Sequence, residues 1–152
     1  MLLLSDLISF SDSYVASRPN LENRIVVASD DEVSKLYKDI ANAGDTCTLI
    51  VVIPSHDSEV LDEDIKRLKN NLTFLVVKKT DSRAGNDEKI ANFIIAQTEI
   101  LELLKTLVGL AQNFGENCTF RDLDTTNMPI TPVQDYFGAN GYMLDAATRT
   151  KF

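Results

Sequence analysis

Apolar and polar positions recur with different periods along the chain, and each change of period marks a new element. Leu3, Leu4, Leu7 and Ile8, followed by Tyr14 and Val15, fall on one face of a helix. Pro19 and Asn20 interrupt that pattern, and RIVVA at Arg24 to Ala28 has the β-branched density of a short buried strand. In the next stretch, SDDEVSKLYKDIANAG, Ser29 and Glu32 have the spacing of a capping box. Val33, Leu36, Tyr37 and Ile40 recur at helical intervals, and Gly44 stands where a helix end favours a left-handed residue.

Cys47 to Pro54 and Leu72 to Lys79 are rich in β-branched and aromatic residues and predict two strands. Between them, SHDSEVLDEDIKRLKNN carries a partial helical pattern in Leu61, Ile65 and Leu68, consistent with a short helix or a mobile loop. Asn86 or Asp87 is placed to cap the longest periodic segment, which runs to Phe114 and ends at Gly115. Ile90, Phe93, Ile94, Ile100, Leu101, Leu104, Leu107, Val108 and Ala111 give this helix an apolar surface wider than one stripe, which predicts cover on more than one side. NCTFRDLD, MPITPV and GYMLDAATRTKF then supply two or three extended segments, with Gly138-Ala139-Asn140-Gly141 reversing the chain. The order predicts one α+β domain over residues 1–152. Its sheet is mostly antiparallel with helices packed on one face, and one long helix precedes a C-terminal β-hairpin.

Composition narrows the class. At 152 residues, with 44% apolar and 25% charged residues, the chain has an ordinary globular balance and length enough for a core without metal or disulfide support. Its longest apolar runs, such as TLIVVI at Thr48 to Ile53, fall far short of the ~20 residues of a bilayer-crossing helix. MLLLSDLISF lacks the basic start of a secretory signal, and Asp6 interrupts it. Cys47 and Cys118 lie in strand-like segments without metal or redox spacing and read as buried thiols. A net charge of −8 opposes electrostatic capture of nucleic acid.

Candidate chemistry is sparse. IVVASDD, a strand leading into Asp30 and Asp31, superficially resembles the acidic pocket of response-regulator receivers. The candidate phosphoacceptor strand, however, ends at Ile53 and Pro54, with the nearest acid, Asp57, several residues on. Lys78 and Lys79 end another strand as the receiver lysine does, but the expected following proline is missing. Carboxylates in a first helical turn suffice to explain Asp30 and Asp31. His56, the only histidine, sits between Ser55 and Asp57 in a polar stretch, and sequence neighbours on a loop rarely converge as a triad must. The Gly85 turn offers N–H groups to an anion, but Asp87 and Glu88 place negative charge there. With no P-loop or dinucleotide fingerprint, the sequence predicts no catalytic set and no cofactor.

The layout of the whole chain resembles the small tail-terminator and tail-completion proteins of tailed bacteriophages. The resemblance lies in TLIVVIPS, LTFLVVKKTDS, the helix opening NDEKIANFIIAQTEILELLKTLV, then FRDLDTTNMPITPV and GYMLDAATRTKF. It implies a non-enzymatic virion subunit, assembled in the bacterial host cytoplasm as a homo-oligomeric ring, usually a hexamer. Such a ring caps the tail tube and joins it to the neck, with DNA passing through its channel without specific binding. A head-to-tail connector ring is the alternative within the same structural class, and a receiver-like signalling domain lies outside it.

On that resemblance, MPITPV and GYMLDAATRTKF pair and use a free edge for assembly, with Met128, Ile130, Val133, Tyr136, Phe137, Tyr142 and Leu144 as the candidate interface. Pro129 and Pro132 suit an edge strand. A hairpin that only closes the domain's own core is the other reading. Asp62, Glu63 and Asp64 are candidate lumen residues, and Thr148→Pro is expected to spare folding while blocking docking.

Overall fold

The structure, a computed structural model, describes residues 2–28, 32, 39–40, 46–62, 65–113 and 119–151. It is an α+β fold with a five-stranded, mostly antiparallel open sheet. Helix α1 spans Leu4–Ser17 and α2 spans Asn86–Gln112. The strands are β1 (Leu21–Val27), β2 (Cys47–Asp62), β3 (Ile65–Lys79), β4 (Ile130–Tyr136) and β5 (Ala139–Lys151). Their order is β1-β2-β3-β5-β4, and only the β1–β2 pair is parallel.

Strand alternation distributes the apolar residues over both faces of the sheet. Leu49, Val51, Leu72, Phe74, Val76 and Leu144 pack with Leu7 and Tyr14 of α1 and with Ala96, Ile100, Leu103 and Leu107 of α2. Ile25, Val27, Ile50, Leu75 and Val77 form a second buried cluster on the opposite face, together with Ile40. Most of the helix expected between Ser29 and Gly44 lies outside the described residues, as do Asp30 and Asp31. Glu32 is helical and accepts a hydrogen bond from Ala28 N–H at 2.7 Å.

The buried side of α1 is Leu7, Ser11 and Tyr14, not the full apolar set, since Leu3 and Leu4 are exposed. Ser11 fits that face because its hydroxyl donates to Leu7 O at 2.7 Å, leaving no unsatisfied donor in the core. Between α1 and α2 lies an ion pair whose carboxylate is buried and whose guanidinium is partly exposed. Glu99, fully buried on α2, accepts from Arg18 Nε at 2.8 Å and Nη2 at 3.1 Å, and from Asn20 Nδ2 at 2.8 Å. The Glu99 hydrogen bond holds the Arg18 guanidinium above its ordinary pKa. Tyr14 donates to Glu99 O at 3.2 Å, and burial pushes its phenol well above the ordinary value.

Several local expectations change. Residues 55–62 and 65–71 of the charged stretch are strand rather than helix or loop, because β2 and β3 continue through them as an antiparallel pair, with register shifts between Val52 and Ser55 and between Val60 and Asp62. Cross-strand partners of opposite charge, Asp57↔Lys69 and Glu59↔Arg67, support strand pairing there over the weak helical spacing. His56 is therefore a strand residue. Helix α2 begins without the expected side-chain cap: Gly85 is the N-cap and makes no side-chain hydrogen bond. Asp87 and Glu88 in the first turn complement the helix dipole instead. The helix ends at Gln112 with Asn113 as C-cap, while Gly115 and Cys118 lie outside the described residues. Cys47 is fully buried.

The reversal into β5 also moves. Phe137 and Gly138 have φ of 49° and 76°, so they form the two-residue turn, and Asn140 and Gly141 already belong to β5. Gly141 is required by the close approach of β3, since a Cβ there would overlap Val76 O and lie 2.8 Å from Val77 Cα.

Candidate functional site

The end of the sheet around the β4–β5 turn is built on a buried polar network. Thr80, just past β3, receives hydrogen bonds at its hydroxyl from Asn92 Nδ2 of α2 at 3.2 Å and from Asn140 Nδ2 of β5 at 3.0 Å. Thr80 N–H donates to Gly138 O at 3.0 Å. Asn140 Oδ1 accepts from Asp135 N–H at 2.7 Å, which holds Asp135 at φ 52° and creates the register shift between Val133 and Tyr136. A bulky residue such as Phe137 resists positive φ, so its conformation is fixed by these surrounding bonds. The result is a rigid turn carrying Phe137 at 37% exposure, with its ring edge-on to Tyr136 at 5.0 Å.

The residues expected to form one interface do not lie together. Leu144 is fully buried in the core. Tyr142 packs half-buried against that core, with Phe93 at 5.8 Å, and Met128 and Ile130 pack on the same cluster. Val133 and Tyr136 pack against the cluster on the opposite face. Alternation along the strands separates them, and β5 lies between β3 and β4 with both edges paired. Thr148 is buried and pairs with Asn70 of β3, so it is not a dispensable end position.

The sheet has two edge strands, β1 and β4; the hairpin's own edge is that of β4, and its chemistry makes it a poor template for another strand. Pro132 lacks a donor, and within a ladder it stands where the missing N–H would point outward. Asp135 has its N–H engaged by Asn140 and its backbone bent out of strand geometry.

A different surface is more open. Ile90, Ile94 and Leu101 are 47%, 57% and 41% exposed on α2. Their spacing of four and seven residues aligns them on one side, away from buried Ala96, Ile100, Leu103 and Leu107. Beside them, Asn20, Ala91, Ile94, Ile95 and Thr98 line a groove of about 380 Å³. The apolar width of α2 was legible in the sequence, but the expected second cover is missing among the described residues, and the stripe faces outward.

The Ser55, His56 and Asp57 side chains divide between the two faces of β2. Ser55 Oγ and Asp57 Oδ2 accept from Asn71 Nδ2 at 3.2 and 2.7 Å, while His56 Nδ1 meets Asn70 Oδ1 at 2.8 Å. Because Asn70 Oδ1 can only accept, that imidazole nitrogen carries the proton. This arrangement does not bring the histidine to the serine. Glu63 and Asp64 lie outside the described residues. Among the described residues no helix is long and apolar enough to cross a membrane. No protein-family model matches the chain, and no curated protein matches it.

Proposed function

We propose that this chain is a structural subunit of a tailed-phage particle that assembles with copies of itself into a ring between tail tube and neck. The observation that carries the proposal is the outward apolar stripe of Ile90, Ile94 and Leu101. Large aliphatic side chains aligned along one helix lose water only when another surface covers them, and such patches mark interaction sites. In this reading α1 and α2 pack together on one sheet face, and the C-terminal β4–β5 hairpin presents Phe137 as a pre-ordered aromatic contact. Contact through the hairpin is by side-chain packing, since the β4 edge is blunted. The net charge of −8 suits a channel that DNA crosses without sticking.

Native mass spectrometry of the purified chain, and the symmetry of this subunit in an assembled particle, test the proposal. The expected result is a closed six-membered ring, formed alone or on the tube, with subunit contacts burying well over ~1,000 Å². Ile94→Glu is expected to keep the fold and lose the ring. A twelvefold ring would assign the chain to the head-to-tail connector instead, and an assembled particle in which copies never touch would refute self-assembly.

A further inference from the structure

At the far end of the sheet from the Phe137 turn, Arg67, Arg121 and Arg149 line a cleft of about 500 Å³ with Asp122, Asp124, Thr125 and Thr126. The chain path explains how it forms. Beyond β4, the outer side of β5 is held by the segment before it: Asp124 N–H donates to Ala147 O at 2.8 Å, and Arg149 N–H to Asp122 O at 3.1 Å. Leu123 bridges Thr148 and anchors the segment in the core. Arg67 of β3 is opposite Lys151 of β5, so strand pairing brings Arg67 beside this wall.

The arginines differ in their commitments. Arg149 reaches across β3 to Glu59 Oε2 at 3.0 Å and turns to Asp124 Oδ2 at 3.3 Å. Those two carboxylates, Glu59 first, hold its guanidinium above the ordinary pKa. Asp124 is further engaged by the Thr126 hydroxyl and backbone N–H, which together with Arg149 hold its carboxyl below the usual aspartate range. Arg67 is different: its Nε is buried and has no hydrogen-bond partner among the described residues. A buried donor left unsatisfied is costly, which sets the Arg67 guanidinium on the cleft lining apart from the doubly paired Arg149. Arg121 is exposed on the same lining.

We propose that this cleft binds a carboxylate through Arg67 and Arg121, with Arg149, held by Glu59 and Asp124, as its fixed wall. A guanidinium presents parallel donors that match the two oxygens of a carboxylate. A phosphate dianion would bring greater charge against Asp122 and Asp124, so the singly charged planar group is the better fit. The source is an acidic side chain of a neighbouring copy, because the chain carries 23 acidic against 15 basic residues and this cleft concentrates arginines. That source rests on the ring assembly proposed above; the carboxylate site itself does not.

The test uses the full ¹⁵N-labelled chain and follows the arginine Nε–H signals, assigned from Arg67→Lys and Arg121→Lys. Glutarate is titrated against sodium chloride of matched ionic strength and against inorganic phosphate. Saturable shifts of the Arg67 and Arg121 signals with glutarate are expected, with half-saturation raised about tenfold in Arg121→Gln. Shifts no different from those in chloride would overturn the site, and tighter binding of phosphate would overturn its assignment to carboxylates. In the self-association arm, Arg121→Gln is expected to weaken assembly about tenfold and free glutarate to dissociate it. A ring that assembles, alone or on the tube, equally well with Arg121→Gln would overturn the neighbouring copy as the source, and an assembled particle in which copies never touch would overturn the ring with it, while the titration still decides the cleft.

Discussion

The two halves of β3 run in the same sheet, pair with the same neighbours, and are stabilised differently. From Leu72 to Val77, five side chains are at most 2% exposed and lie in the two apolar clusters. From Arg67 to Asn71 the pattern is polar, with Asp57, Glu59, Arg67, Lys69 and Arg149 sharing one face. Yet the ladder with β5 runs without a register break from Arg67↔Lys151 to Lys79↔Ala139. Backbone pairing thus persists where the hydrophobic driving force fades, supported there by opposite-charge neighbours and shared hydrogen bonds. Asn70 marks the junction: buried in the sheet, it accepts from Leu2 N–H at 3.1 Å and donates to Thr148 O at 3.0 Å.

The apolar half should respond most to deletion. Phe74→Ala is expected to destabilise the fold by about 3–5 kcal/mol, measured by urea unfolding, because it leaves a cavity between the sheet and both helices. Arg18→Ala should cost about 3 kcal/mol by stranding the buried Glu99 carboxylate; Arg18→Met combined with Glu99→Leu should recover most of that loss. If the single change proves neutral, the ion pair is not what joins α1 to α2. In the polar half, Arg149→Ala should cost about 1 kcal/mol, since its partners are partly exposed. Hydrogen exchange should quicken at 122–126 and 147–150 with little change at Leu72–Val77; equal acceleration in both halves would show that they open as one unit.

Acid and alkali separate the same two regions through smaller effects. Asp124 has a lowered folded pKa, so its contribution is present above the ordinary aspartate value of about 3.9 and lost as pH falls through the folded value. The polar cleft should therefore loosen first on acidification, and Asp124→Asn should abolish that step in an exchange profile. Tyr14 behaves oppositely: with its folded pKa raised, the unfolded chain loses the phenolic proton first, and stability declines as pH rises beyond about 10. Tyr14→Phe should flatten this alkaline decline. A decline unchanged by the substitution would assign it to another group.

The elements that sequence predicted best are those with strong, local periodicity. The apolar runs in β2 and β3 and the long repeat of α2 announce themselves because burial on a strand or helix imposes a period of two or 3.6 residues. The polar halves of β2 and β3 carry no such signal, and their pairing depends on a partner strand distant in sequence. The candidate site was less legible. Leu144 is a candidate interface residue on the resemblance, which gives its segment a free edge for assembly, but its burial follows from β5 being inserted between β3 and β4. Phe137 looked like the residue before a turn, while Gly141, demanded by Val76, occupies a place in the strand.

By itself the sequence determined the α+β class, the long helix with an apolar surface too wide for one stripe, and a net charge of −8. These are properties of composition and local period, which each segment carries wherever it packs. Only the tertiary structure decided that the second side of α2 faces outward, that the β4 edge is blunted, and that Arg67, Arg121 and Arg149 meet in one cleft. Those outcomes depend on strand order and register, which bring together residues far apart in the chain, and no local pattern encodes which neighbour a strand will find.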